Sequence, residues 1–230
     1  MLSDDTIVGI ALVLILIFAL GLHEMAHAWV ANKCGDDTAK RLGRITPNPI
    51  KHIDPFLTII LPGLLFFVLP RLLGTPPLIF GGAKPVPVVM SNLRHPYRDM
   101  MWVAIAGPAT NFALAFLSLV LLKAGLVWFD LSTRDVVARI LIGSVQFNVL
   151  LTVFNLLPIP PLDGSRVMTY VLPNALRRPY MSLGFIGIPL IFGIVFFVPG
   201  AQDTLIRWMD AVYDWMASVV EGLFGLFRKG

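Results

Sequence analysis

Charged residues are scarce in this sequence, and that scarcity excludes most classes of soluble protein. Asp, Glu, Lys and Arg make up 14% of the 230 residues, whereas hydrophobic residues make up 57%. Soluble globular proteins carry about 25% charged residues. We therefore predict an integral membrane protein, consistent with the mean hydropathy of +0.79. In such a protein the net charge of +4 reports loop orientation and not nucleic-acid binding.

Two further features are missing, a second cysteine and a basic N-terminus. Cys34 is the only cysteine, so no internal disulfide can form. The chain begins with the acidic stretch MLSDD, and its first apolar run continues to about Ala31. A secretory signal has basic residues before a shorter apolar run. We expect residues 6–31 to form a spanning helix, because about 20 residues suffice to cross a bilayer.

Other apolar segments predict an all-α polytopic membrane protein with a bundle of about four to five transmembrane helices. A short segment interrupted by Pro62 and Gly63 indicates a re-entrant or half-inserted element. Residues 203–227 mix acids with tryptophans and predict an amphipathic interfacial helix at the C-terminal end. In chain order these four apolar segments are 56–70, which is the short one, then 100–122, 135–157 and 181–199, and the last three are long enough to span.

The loop after the first apolar segment is basic. By the positive-inside rule this loop is cytoplasmic, so the first helix runs from outside to inside. Its polar residues then lie in the cytoplasmic half of the membrane. The basic residues are Lys33, Lys40, Arg41, Arg44 and Lys51.

The first predicted span contains the sequence HEMAH, in which His23, Glu24 and His27 form the pattern H-E-x-x-H. Positions i and i+4 of a helix share a face. Two imidazoles so placed can bind one zinc ion, and the intervening glutamate can act as a general base towards water. A polar cluster buried between helices is the alternative interpretation. Ionisable groups at membrane depth are costly, however, and typically mark a functional site.

A catalytic zinc usually has three protein ligands, so a third candidate is needed. Asp163 lies in FNLLPIPPLDGSRV, directly after a predicted span whose helix must end at the three prolines. Irregular backbone at membrane depth survives only against protein or a water-filled cavity. An ordinary turn at a helix end is the alternative interpretation of this stretch.

The motifs HEMAH and NLLPIPPLDG, with GRITPNPIKHIDP, GGAKPVPV and AGPATNF, resemble those of the site-2 protease family of intramembrane zinc metalloproteases. The resemblance extends from residue 6 to about residue 170 and is to a compact prokaryotic branch without PDZ or CBS modules. It implies one catalytic Zn²⁺ ion held by His23, His27 and Asp163, with Glu24 as catalytic base. Asn155 matches the family's asparagine upstream of the aspartate, and the resemblance implies that this asparagine binds the substrate backbone or the oxyanion.

The resemblance also implies an organisation and a function. Residues 1–175 would form the intramembrane metalloprotease core, and residues 176–230 an additional transmembrane helix and the amphipathic C-terminal helix. The protein would lie in a prokaryotic inner cell membrane, with its active site towards the cytoplasm. There it would cleave transmembrane segments of other proteins. The alternatives are a membrane metalloprotein without peptidase activity and a metal-ion transporter.

Other polar and small residues carry weaker signals. Asn111 and Asn148 are typical of hydrogen bonds between membrane helices. Gly107, followed by Pro108, indicates close helix contact or a kink near the metal. His52 and Asp54 could orient a metal ligand or order a loop.

The stretch KPVPVVM, residues 84–90, has prolines at alternate positions. If it is extended, its N–H groups lie on one side only. The pattern predicts either an edge strand that pairs with substrate or a polyproline II loop.

The metal site constrains the topology. If His23 and Asp163 meet at one metal, the helix 135–157 must run in the same direction as the first helix. Only one full crossing, 100–122, then fits between them. The apolar run 56–70 covers only about 22 Å, and we expect it not to cross. Four basic residues should then be cytoplasmic, Arg71, Lys84, Arg94 and Arg98.

Overall fold

The computed structural model describes residues 2–60, 68, 71–72 and 81–227, and every regular element within these ranges is helical. The predicted all-α class is therefore confirmed. Within these ranges, four short elements of 3₁₀ or π type occupy Pro49–His52, Pro55–Ile60, Met90–Asn92 and Leu183–Phe185. The α-helices are α1 (Asp4–Lys33), α2 (Thr38–Arg41), α3 (Pro96–Trp128), α4 (Val136–Asn155), α5 (Asp163–Val171), α6 (Asn174–Ser182), α7 (Gly187–Phe197) and α8 (Ala201–Phe227).

Three of these helices, α1, α3 and α4, are long and apolar enough to cross a membrane. Helices α1 and α3 contain the predicted spans 6–31 and 100–122, and α4 occupies most of the predicted span 135–157. α3 has 33 residues and is about 50 Å long, so it extends beyond a hydrocarbon core of about 30 Å. Local signals fix the helix starts: Ser3 caps α1 by accepting a hydrogen bond from the Thr6 N–H, and Pro96 opens α3.

The relative directions of the spans match the predicted topology. Near the start of α4, the Arg139 guanidinium lies 2.6 Å from the Asp5 carboxylate near the start of α1. At the other end of the pair, Asp163, which follows α4, lies beside His23 of α1. Helices α1 and α4 are therefore parallel to each other.

The predicted span 181–199 is not a continuous helix. The chain bends by 82° between Asn174–Phe185 and Pro189–Val195, which together make at most one broken span or a re-entrant loop. Pro189 lies in the first turn of α7 and provides no N–H for a helix continuing from α6. The 11 residues of α7 extend only about 16 Å, which is too short to cross alone.

The C-terminal helix α8 is amphipathic, but its apolar face is covered by protein. Met216, Val220 and Phe224 are buried against α3 and α4. Trp215 lies 5.8 Å from Phe112, between ring centroids. Phe224 packs against Trp128, the last residue of α3, with 5.0 Å between the ring centroids. Helix α8 therefore runs lengthwise along α3, whereas the sequence predicted a helix lying in the membrane interface.

Most of the predicted re-entrant segment 56–70 lies outside the described residues. Near the start of this segment, the Thr58 hydroxyl donates to the carbonyl oxygen of Gly82, beyond its end, at 2.7 Å. The Lys84 N–H donates to the His52 carbonyl oxygen at 2.8 Å. Residues 52–58 and 82–84 are thus neighbours, as the predicted topology requires of the two ends of this stretch.

We expect cysteines introduced at Lys51 and Ser91 to be labelled from the same side of the membrane. The background would carry Cys34→Ser, because Cys34 is the only native cysteine. A cysteine at Ser132, in the loop between α3 and α4, is the control and should be labelled from the opposite side. The measurement is labelling of sealed vesicles by a membrane-impermeant maleimide. Labelling of positions 51 and 91 from opposite sides would contradict the topology.

Candidate metal centre

The structure brings the three predicted metal ligands together. The Nε2 atoms of His23 and His27 lie 3.0 Å apart. Oδ2 of Asp163 lies 3.2 Å from Nε2 of His23 and 3.3 Å from Nε2 of His27. Among the described residues, these three form the one group of His, Cys, Asp or Glu side chains arranged closely enough to hold a metal ion.

The size and chemistry of this triangle fit zinc. Zinc binds histidine nitrogen and carboxylate oxygen at about 2.0–2.1 Å in tetrahedral geometry, which places ligand atoms about 3.3–3.4 Å apart. The Asp163 Oδ2 atom is buried and has no hydrogen-bond partner. A buried carboxylate oxygen without a partner is costly, and a cation between the three side chains would satisfy it.

Both histidines are oriented by acceptors on α3. Nδ1 of His23 lies 2.5 Å from Oδ1 of Asn111, and Nδ1 of His27 lies 2.6 Å from the Val103 carbonyl oxygen. These oxygens can only accept, so each Nδ1 carries the proton and donates it. Each Nε2 is then left unprotonated and faces the centre of the triangle, which is the form that binds a metal.

The role of Asn111 exceeds what the sequence indicated. Its Nδ2 donates to Oδ1 of Asn148 at 2.9 Å, so the predicted hydrogen bond between membrane helices is present. Its Oδ1 also orients His23, which the sequence analysis did not predict. A signal was available, since Asn111 lies four residues after Gly107 and thus on the same face of α3.

Gly107 is the point at which α3 meets the two histidines. A Cβ atom at this position would lie 2.5 Å from Nε2 of His23 and 2.5 Å from Nε2 of His27. Only glycine therefore leaves room for both imidazoles and an ion between them. The predicted close helix contact is present at this residue, beside the two candidate metal ligands of α1.

The loop that carries Asp163 is packed backbone against backbone. A Cβ at Gly164 would lie 2.2 Å from the Leu156 carbonyl oxygen, and a Cβ at Gly187 would lie 1.5 Å from the Pro160 carbonyl oxygen. The loop runs from the end of α4 at Asn155, through the prolines, to the start of α5 at Asp163. Because Gly187 is the first residue of α7, the start of α7 holds this loop in place.

Glu24 contacts the proline-containing segment 84–90. Its Oε2 accepts a hydrogen bond from the Val86 N–H at 2.7 Å. Since residues 85 and 87 are prolines, Val86 has the only N–H between residues 84 and 88. Residues 81–89 have no regular secondary structure, so pairing with a substrate strand stays a prediction.

Two buried charged side chains that the sequence analysis did not select hold this segment. The Arg44 guanidinium donates to the Lys84 carbonyl oxygen at 2.6 Å. The Asp36 carboxylate accepts from the Val89 N–H at 2.6 Å and also from Thr38 and Asn92. Burial alone would raise the pKa of Asp36, but these hydrogen bonds hold it below its ordinary value. The segment is thus anchored at both ends.

Three other residues selected from the sequence form hydrogen bonds with groups outside the metal triangle. His52 is buried, and its Nε2 bonds the Thr46 carbonyl oxygen at 3.0 Å. The Asp54 carboxylate accepts from the Phe56 N–H at 2.9 Å, so this pair orders the loop. Asn155 donates to the Leu151 carbonyl oxygen of its own helix at 2.9 Å. It makes no hydrogen bond to the three candidate ligands, and its action on substrate stays a prediction.

We expect Gly107→Ala to abolish zinc binding, because the added methyl group occupies the space between the two Nε2 atoms. Gly222→Ala is the matched control, since a Cβ at Gly222 meets nothing within 4 Å. The measurement is zinc content per protein molecule by mass spectrometry. A parental zinc content in a folded Gly107→Ala variant would exclude this triangle as the metal centre.

The two asparagines should differ in their effect on the metal. Asn111→Ala removes the acceptor that orients His23, and loss of such a partner typically weakens metal affinity by about 10–100-fold. Asn155→Ala should leave zinc affinity unchanged. Competition with a chelator of known affinity measures both variants, and equal affinities would contradict the orienting role of Asn111.

Comparison with known proteins gives a consistent result. The model of peptidase family M50 matches residues 130–198, which include Asp163. YwhC of Bacillus subtilis (strain 168), named as a candidate zinc metalloprotease, is 36% identical over 223 residues, covering 93% of this chain and 92% of YwhC. Rip2 of Mycolicibacterium smegmatis, with the same designation, is 32% identical over 202 residues, or 86% of this chain and 70% of Rip2.

Rip2 of Mycobacterium tuberculosis (strain Erdman), also named as a candidate zinc metalloprotease, is 32% identical over 204 residues, covering 86% of this chain and 69% of Rip2. No solved structure was found to match the chain. The similarity to YwhC extends over nearly the whole length of both proteins. The chain belongs to peptidase family M50, the site-2 protease family of metalloproteases.

Proposed function

We propose that this protein is a zinc-dependent intramembrane endopeptidase that hydrolyses peptide bonds in transmembrane segments of other proteins. The observation that carries the proposal is the triangle of His23, His27 and Asp163, with Glu24 beside it on α1. Both histidines are buried within a bundle of helices long and apolar enough to cross a membrane. The names of the relatives support zinc as the metal.

The three side chains would hold the ion through two neutral nitrogens and one carboxylate oxygen. When bound there, zinc would polarise the carbonyl of the scissile bond and lower the pKa of a water molecule to about 7. Asn111 and the Val103 carbonyl keep both imidazoles in the required tautomer. Asp163 supplies the negative charge that a dication needs where water is scarce.

Glu24 is proposed as the general base. A carboxylate can take a proton from the attacking water and return it to the leaving amine. The Val86 N–H donates to Oε2 of Glu24 and so restrains the carboxylate. The other oxygen, Oε1, can then accept the proton. This interaction also places the proposed base next to the segment that we expect to hold substrate.

Segment 84–90 is proposed to bind substrate by strand addition. A substrate helix hides its peptide bonds in its own hydrogen bonds, so it must unwind before cleavage. The N–H groups of Val86 and Val89 are occupied by Glu24 and Asp36. The Val88 N–H makes no hydrogen bond within the part of the chain that the structure describes. It is therefore available to pair with an extended peptide.

The proposed location is a cell membrane, with the site towards the cytoplasm. Supporting this orientation, the basic loop after α1 lies next to the basic stretch before α3. The Arg94 N–H donates to the Cys34 carbonyl oxygen at 3.1 Å. Basic residues from both stretches therefore gather at the end of the bundle that carries the metal ligands, and such residues favour the cytoplasmic side.

Variants of the proposed ligand and base should separate zinc binding from cleavage. Glu24→Gln keeps size and polarity but cannot accept a proton, so it should retain zinc and lose nearly all cleavage. Asp163→Ala leaves two imidazoles around a dication and should lose both. Asn155→Ala should retain zinc and lower the rate only in part, since one oxyanion donor contributes roughly 3 kcal/mol. Zinc content and cleavage of a model transmembrane peptide are measured on the same preparations.

Glu221→Gln is the matched control, because Glu221 is an exposed residue of α8 that pairs with Lys123. It should retain zinc and activity. Near-parental cleavage by Glu24→Gln would contradict the mechanism, and parental zinc affinity in Asp163→Ala would mean a different third ligand. Zinc flux across vesicles without peptide cleavage would favour a transporter instead.

A further inference from the structure

A cavity lined by arginine and methionine side chains lies at the start of α3, apart from the metal triangle. Its volume is about 220 Å³, and none of its lining residues is acidic. Three arginines and three methionines line it, with Tyr97 and Thr169. The arginines are Arg166 of α5 with Arg177 and Arg178 of α6, and the methionines are Met90, Met100 and Met181.

One of the arginines has a structural role. Arg177 Nε donates to the Leu172 carbonyl oxygen at 2.9 Å, and its Nη2 donates to the Tyr170 carbonyl oxygen at 3.2 Å. Its guanidinium also lies 4.1 Å from the ring centroid of Tyr97, at a distance typical of a cation–π contact. Arg177 therefore caps the end of α5 and joins α6 to α3.

The other two arginines are available to a ligand. Arg166 and Arg178 make no hydrogen bond and no ion pair with any residue that the structure describes. Arg166 is half-buried, and its burial lowers its pKa, an effect that the charge of Asp163 partly opposes. Each guanidinium presents five N–H donors in a planar arrangement that matches phosphate and carboxylate oxygens.

The surroundings of the cavity indicate the boundary between membrane and water. Tyr97 and Met100 belong to the first turns of α3, where this long helix leaves the apolar region. On α6 and just after it, Leu176 and Leu183 are exposed beside the arginines. Apolar side chains directed outwards next to arginines are typical of helices at the level of lipid headgroups.

We propose that the cavity between Arg166 and Arg178 binds the phosphate of an anionic phospholipid headgroup, with the three methionines against its apolar part. Basic pockets between membrane helices commonly bind such headgroups. A lipid bound here would contact the start of α3, α5 and α6 together. Because Arg166 lies one turn after Asp163 on α5, the lipid would also stabilise the helix that carries this candidate ligand. The proposal does not depend on the proposed peptidase activity.

The test is native mass spectrometry of the full chain released from a neutral detergent, with phosphatidylglycerol, phosphatidylcholine or inorganic phosphate added. We expect one phosphatidylglycerol molecule to bind more tightly than either of the other two. Arg166→Gln with Arg178→Gln should weaken this binding about thirtyfold, since each arginine near the surface contributes about 1 kcal/mol. Arg178→Gln alone, at an exposed position, should weaken it about fivefold without risk to folding.

The control removes the same charge elsewhere, with Arg134→Gln and Arg207→Gln, both exposed and outside the cavity. This pair should bind phosphatidylglycerol like the parent. Equal binding of phosphatidylcholine, or of inorganic phosphate alone, would overturn the proposal. Parental lipid binding by the cavity variants, with selective loss of cleavage of substrates bearing acidic residues, would assign the cavity to substrate and overturn it as well.

Discussion

The approach of α3 to α1 at Gly107 is the contact on which the candidate metal centre depends. A single missing methyl group leaves room for two imidazole nitrogens that lie 3.0 Å apart. The same helix supplies the acceptors that orient both rings, the Val103 carbonyl and Asn111. Burying two imidazoles among apolar helices would be costly without these hydrogen bonds. Helix α3 therefore both forms the wall of the site and stabilises its ligands.

The position of Asp163, the third candidate ligand, depends on backbone packing in a different part of the molecule. The prolines after α4 end that helix, and close contacts at Gly164 and Gly187 hold the loop that follows. Gly187 belongs to α7, which lies beyond the motifs recognised in the sequence but within the match of the M50 family model to residues 130–198. The C-terminal helices therefore do more than add membrane-facing surface, because one of them positions the loop before Asp163.

The segment around Val86 shows how a stretch without regular secondary structure can still be held in place. Its prolines remove N–H groups, and three of the remaining backbone groups bond to charged side chains that are buried or half-buried. Arg44, Glu24 and Asp36 bind consecutive parts of it. Hydrogen bonds to charged groups are stronger than those between neutral groups, so this segment has a defined position next to the candidate catalytic residues.

Local chemistry in the sequence was enough to predict the membrane class, three of the spans and the three side chains that the structure brings together as candidate metal ligands. Apolar runs report burial in lipid, helical spacing places His23 and His27 on one face, and prolines necessarily end α4 before Asp163. Distant contacts have no such local signature. Only the tertiary structure placed Asn111 on His23 and packed α8 along α3. The bend before α7 and the arginine cavity likewise depend on which helices meet, and packing between helices decides that.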